Sequence, residues 1–214
     1  MTFINTKKNI SRKTWLKNHF NDYYVKQTQV NIKKFRSRSW FKLSELHKQD
    51  KIFKKGMYVI DLGSSPGGWS CFAASTIGHT GKVIACDILP MNNIHNVDFF
   101  TGNIFDSHTL KLLANKLNAK KVHVIMSDIS PNISGIKIID AERSVNLNIL
   151  VLNLCKIYLA YQGTLIMKVF HNNNFKYLCN MICNIFYNIK IRKPNASRSK
   201  SCEIYVVAKG YKHQ

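Results

Sequence analysis

Acidic residues are scarce in this chain. Eleven Asp and Glu stand against 32 Lys and Arg, a formal net charge of +21 over 214 residues. An excess of that size calls for a polyanionic partner, and nucleic acid comes first. AT-rich codon usage also enriches Lys, Asn and Ile, but it does not account for the Arg-containing clusters. No apolar run reaches the roughly 18 residues of a membrane-spanning helix. Met1-Thr2-Phe3-Ile4-Asn5 lacks the apolar core of a secretory signal. A cytoplasmic protein with no membrane partner is therefore expected. The six cysteines contain no Cys-x-x-Cys pair. Cys179 and Cys183 are four apart on a helical pattern with no nearby His, so they read as core or surface thiols and no metal is expected. No repeat and no linker divides the chain, and 45% hydrophobic residues suffice for a substantial core.

What is present is an alternation of strand-like and helix-like segments. The expected strands are Met57–Ile60, Lys82–Asp87, Val97–Asn103, Val122–Asp128, Thr164–Phe170, Ile189–Ile191 and Cys202–Ala208. Helices are expected over 36–46, 69–77, 105–117, 140–161 and 174–187. Ser37 or Ser39 is the expected N-cap of the first. In the long helix, Leu147, Leu150, Val151, Leu154, Ile157 and Tyr158 form the expected inner side, with Gly163 as C-cap. This order predicts an α/β fold, a doubly wound and mostly parallel sheet whose two closing strands form an antiparallel edge. Residues 36–214 make one domain. Residues 1–35, basic and interspersed with Trp15, Phe20, Tyr23, Tyr24 and Phe35, are expected to form an arm suited to phosphates and bases.

Ligands of such a sheet bind beyond the carboxyl ends of its strands. The turn Asp61-Leu62-Gly63-Ser64-Ser65-Pro66-Gly67-Gly68-Trp69 lies there, and so do Asp87, Asn103 and Asp128. The spacing of Gly63, Gly67 and Gly68 does not fit G-x-G-x-x-G, and Trp69 stands where a phosphate-binding loop needs Lys. A nucleoside ligand without a phosphate to cradle remains. Asp87 can accept ribose hydroxyls, and nearby acids suit a sulfonium, so S-adenosylmethionine fits. Arg38 and Lys42 fall on one face of the first helix, where like charges repel. That face is either a solvated surface or a phosphate or catalytic surface.

Six segments in order, RSRSWFKL at Arg36–Leu43, DLGSSPGGWS at Asp61–Ser70, ACDILPM at Ala85–Met91, SDISPNISG at Ser127–Gly135, LIMKVF at Leu165–Phe170 and SRSKSCEIY at Ser197–Tyr205, carry a resemblance. The chain resembles the FtsJ/RrmJ family of RNA ribose 2′-O-methyltransferases from about Arg36 onward. The resemblance implies a Lys-Asp-Lys-Glu tetrad at Lys42, Asp128, Lys168 and Glu203, with Lys168 as general base. It implies S-adenosylmethionine contacts at Gly67, Trp69, Asp87, Asn103 and Asp128. Asn103 stands where the family commonly has an acid, and an amide donates as well as accepts. The implied acceptor is a uridine 2′-hydroxyl of 23S ribosomal RNA, within the large (50S) ribosomal subunit, served by a monomer. A transfer RNA acceptor, or a non-catalytic ribosome-assembly factor on the same scaffold, stays open. Arg36, Arg38, Arg192, Lys193, Arg198 and Lys200 are the expected RNA-phosphate contacts.

Overall fold

The computed structural model describes residues 22–131, 134–170, 174–198 and 201–213. Lys200 and residues 1–21 of the expected arm lie outside the described residues. The strands are β1 (Tyr58–Leu62), β2 (Lys82–Asp87), β3 (Val97–Thr101), β4 (Val122–Ser127), β5 (Leu159–Phe170), β6 (Phe186–Arg192) and β7 (Glu203–Tyr211). The helices are α1 (Tyr23–Val30), α2 (Ile32–Phe35), α3 (Ser39–Asp50), α4 (Gly68–Ile77), α5 (Ser107–Leu117), α6 (Lys137–Tyr158) and α7 (Phe175–Ile185).

The strands form one sheet in the order β3-β2-β1-β4-β5-β7-β6. The pairs from β3 through to β5 are parallel, and β7 runs antiparallel between β5 and β6. The central strands are apolar on both faces because both faces are covered. One face carries Val59, Val83, Val124, Met126 and Ile166, packed against Leu43 and Leu46 of α3 and Trp69 and Phe72 of α4. The other carries Ile60, Ile84, Ile125, Leu165 and Val206, packed against α5, α6 and α7. Fully burying a Leu such as Leu43 stabilises by about 2 kcal/mol.

Several sequence expectations shift. Ser39 is the first residue of α3 rather than its cap: Arg38 takes that place without a side-chain capping bond, and the Ser37 and Ser39 hydroxyls bond one another at 2.6 Å. The long helix ends at Tyr158, and β5 begins at once. Gly163 is therefore not a helix cap. It lies in a register irregularity where Leu159 to Thr164 spans the same stretch as Val122 to Val124. A Cβ at Gly163 would lie 2.6 Å from Leu159 Cγ, so close approach requires the glycine. Ile157, expected inside, is exposed, while Leu152 and Cys155 turn inward. Phe186 and Tyr187 start β6 rather than ending the preceding helix.

The described end of the arm, 22–35, is helical. Asp22 caps α1 by accepting from the Tyr24 and Val25 amides, and its second oxygen pairs with Arg38 at 2.6 Å. Helix α3 then spans from this segment to the β6–β7 edge. Glu45 accepts from the amides of Asn195 and Ala196, at 2.7 and 3.2 Å. Asp50, its side chain fully buried, takes Arg192 at 2.9 Å through both oxygens and Lys190 at 3.1 Å. Lys209 donates to the Asp50 carbonyl.

The hydrogen bond from Arg192 holds the Asp50 carboxyl below its ordinary value, outweighing burial. A carboxylate lowered on folding adds stability that is full above its unfolded value and fades as pH falls through its folded one. We expect Asp50→Ala to cost about 2 kcal/mol in urea denaturation at neutral pH. The deficit should shrink as the medium is acidified below the carboxylate range. A variant as stable as the wild type would show that this anchor contributes nothing.

Candidate active site

The carboxyl ends of β1, β2 and β4 open into a cavity of about 690 Å³, within the usual range for a small-molecule site. Gly63, Asp87, Asn103 and Asp128 line it, together with Ser65, Phe105, Ile129 and Pro131. From α6, Arg143, Asn146 and Leu147 form part of the wall. The Asp87 carboxylate accepts from the amides of Ser65 and Leu89, both at 2.9 Å, so it fixes the glycine-rich turn as well as facing the cavity. Asn103 Oδ1 accepts from the Phe105 amide at 3.1 Å. Gly63 and Gly67 have φ of 76° and 107°, a region that favours glycine. A Cβ on Gly67 would meet Met91 Sδ at 2.8 Å. Trp69 is buried to 2% exposure, with its indole N–H on the Ser39 carbonyl at 2.9 Å. Its side chain braces the turn from behind rather than lining the cavity. Burial, with the charges of Asp87 and Asp61, pushes the Cys86 thiol up to about 12, so this cavity-wall sulfur is not a ready nucleophile.

The tetrad residues come together at one edge of this cavity. Lys168 Nζ lies 3.1 Å from Asp128 Oδ1 and donates to the Asp128 carbonyl at 2.5 Å. Lys42 Nζ lies 2.5 Å from Glu203 Oε1, which also accepts from Ser197 Oγ at 2.9 Å. Both lysines are 8% exposed. Burial pushes the Glu203 carboxyl up, but Lys42, Ser197 and the charge of Lys168 together hold it below its ordinary value. A residue not singled out from sequence joins the two pairs. The Tyr205 hydroxyl donates to Asp128 Oδ1 and accepts from Lys42 Nζ, both at 3.0 Å. Its position directly across β5–β7 from Lys168 was the available signal, once the strand pairing is known.

The expected RNA contacts divide. Arg36 donates to the carbonyls of Asn92 and Asn93, at 2.7 and 2.6 Å. Arg38 bonds Asp22 and the Ala196 carbonyl, and Arg192 bonds Asp50. These three guanidinium groups hold the protein to itself. Lys193 and Arg198 are exposed on the loop beside Glu203, with Lys193 Nζ on the Ser201 carbonyl at 2.7 Å. Among the described residues no three His, Cys, Asp or Glu gather as a metal site, and no helix is long and apolar enough to cross a membrane.

A parallel sheet with one antiparallel strand inserted next to its edge, a cavity at the strand ends and two lysine–acid pairs beside it define a methyltransferase scaffold. The family model of FtsJ-like methyltransferases matches residues 35–211, and the chain belongs to that family. It is 50% identical over 205 residues to the ribosomal RNA large subunit methyltransferase E of Wigglesworthia glossinidia brevipalpis, covering 96% of this chain and 99% of that protein. A Plasmodium falciparum structure described as a ribosomal RNA methyltransferase superposes with a TM-score of 0.75 at 28% identity, covering 84% of this chain and all of that one. Human methyltransferase-like protein 13 in complex with SAH shares the fold, with a TM-score of 0.56 at 13% identity over 74% of this chain and 73% of its own. The residues present fit S-adenosylmethionine: the cavity volume, the strand-end acids and the glycine turn suit an adenosyl group carrying a sulfonium.

Asp61 carries a separate signature. It is fully buried, its Oδ2 accepts from Ser70 Oγ at 2.5 Å, and its Oδ1 has no partner among the described residues. Burial pushes its carboxyl up to about 7, against the Ser70 hydrogen bond and with help from Asp128 and Asp87. A carboxyl raised on folding costs stability as pH climbs from its unfolded value to its folded one. We expect Asp61→Asn to gain stability relative to the ligand-free wild type between acidic pH and about 7, and to hold that gain above it. Urea melts across that range should give a difference that grows with pH. A constant difference would show that Asp61 ionises freely in the fold.

Proposed function

We propose that this protein transfers the methyl group of S-adenosylmethionine to the ribose 2′-hydroxyl of a uridine in large-subunit ribosomal RNA, with Lys168 as general base. The observation that carries the chemistry is Asp128, which both lines the cavity and holds Lys168. The base is thereby tied to the wall of the donor site. The 50% identity over nearly the full length of a large subunit methyltransferase supports the acceptor.

When bound, S-adenosylmethionine supplies a methyl carbon made electrophilic by a positive sulfur. A ribose hydroxyl is a weak nucleophile until its proton has an acceptor in the transition state. In its neutral form Lys168 Nζ accepts that proton as the oxygen–carbon bond forms and the carbon–sulfur bond breaks. The products are a 2′-methoxy group, S-adenosylhomocysteine and a lysine ammonium that later releases its proton to water. Asp128 orients the Lys168 amine, and Lys42 and Glu203 hold each other at the acceptor side. Alignment of oxygen, carbon and sulfur supplies much of the acceleration. Lys193 and Arg198 meet RNA phosphates, whereas Arg36, Arg38 and Arg192 shape the surface that does so.

Lys168→Ala should cut transfer of labelled methyl to unmodified large ribosomal subunits by roughly 10²–10⁴-fold, with S-adenosylhomocysteine binding retained in calorimetry. Undiminished transfer would sink the assignment of the base. RNA affinity should also fall linearly on a log–log plot against salt, by counterion release. A flat plot would mean that the positive charge serves no phosphate.

A further inference from the structure

We infer that Tyr205 is a positioning residue of the methyl-transfer site, its hydroxyl setting how tightly Asp128 holds the Lys168 amine. The inference rests on the proposed methyl-transfer reading with Lys168 as base. Its basis is one shared oxygen. Asp128 Oδ1 accepts from Tyr205 Oη at 3.0 Å and is also the oxygen 3.1 Å from Lys168 Nζ. Tyr205 Oη in turn accepts from Lys42 Nζ at 3.0 Å, and Lys42 pairs with Glu203. The phenol is thus the hydrogen-bonded link in a continuous chain from Glu203 to Lys168.

The direction of the chain matters. Lys42 donates into the phenol oxygen, which strengthens the phenol as a donor to Asp128. A hydrogen bond into Oδ1 stabilises negative charge there and weakens the pull of that oxygen on the Lys168 ammonium. An ammonium held less tightly yields its proton at lower pH, as a base for the ribose hydroxyl must. The other charged groups around the cluster are Lys42 and Arg38 from the α3 side, Glu203 on β7 and Asp61 on β1. Among the described residues none of those is hydrogen-bonded to Oδ1, whereas the phenol is.

A packing role alone would not need the hydroxyl. The Tyr205 ring is fully buried against Trp69, with centroids 5.7 Å apart, and Phe would fill that volume. A buried hydroxyl is unfavourable unless bonded, and this one makes both bonds. Burial and the neighbouring acids also raise the phenol well above its ordinary value, so it acts as a neutral donor.

The test is the pH dependence of kcat for the full-length wild type and Tyr205→Phe, with unmodified large ribosomal subunits as acceptor. In the variant, kcat at neutral pH should fall by roughly tenfold and the limb that rises with pH should move about one unit more alkaline. KM for the subunits and affinity for S-adenosylhomocysteine should stay within about twofold. Incorporating 3-fluorotyrosine at 205, a stronger donor of nearly the same size, should move the limb the opposite way and covers a variant that fails to fold. An active wild type with an unchanged profile in both forms overturns this role and leaves the function standing. A wild type that transfers no methyl to RNA overturns the function and this role together.

Discussion

The site depends on the direction of β7. In the parallel part of the sheet, only strand ends face the donor cavity. Because β7 runs the other way between β5 and β6, its beginning lies where its neighbours finish. Glu203, the first residue of β7, thereby reaches the same edge as Lys168 near the end of β5, and Tyr205 sits directly across from Lys168. Residues far apart in the chain then share one face of two paired strands. Helix α3 closes that face, with Lys42 reaching down to both Glu203 and Tyr205.

Helix α3 also explains the cost of so many like charges near the site. Arg38 and Lys42 would repel on an isolated helix. Here each has its own acid, Asp22 and Glu203, while Glu45 and Asp50 reach the 194–197 loop and the β6–β7 edge. A single helix thereby holds the described N-terminal segment, the loop beside Glu203 and the outer strands in one frame. Several arginines that suggest an RNA surface are components of this frame. The exposed Lys193 and Arg198 lie on the loop that this helix holds.

Much of this was legible in the sequence because strand ends and glycine turns leave local marks. The turn from Asp61 to Trp69 and the acids at Asp87 and Asp128 mark the cavity without knowledge of any long-range contact. The α6–β5 junction left no such mark. No glycine or proline separates Tyr158 from Leu159, and Gly163 imitates a helix cap while serving a close backbone approach within β5. Ile157 likewise follows Leu154 at a helical interval, but the buried stripe runs on through Cys155 and Tyr158 and leaves it on the outer side. The engagement of Arg36 by loop carbonyls and of Arg192 by Asp50 is a tertiary fact, as is the place of Tyr205. A tyrosine in an apolar strand reads as core until its partner across the sheet is known.

The most direct test of the account is mass-spectrometric mapping of ribose methylation in ribosomal RNA from cells with and without this protein. The account predicts the loss of a single 2′-O-methyluridine in large-subunit RNA, restored by the purified protein and S-adenosylmethionine. An unchanged ribose methylation pattern, or a lost methyl on a base or on transfer RNA, would contradict it.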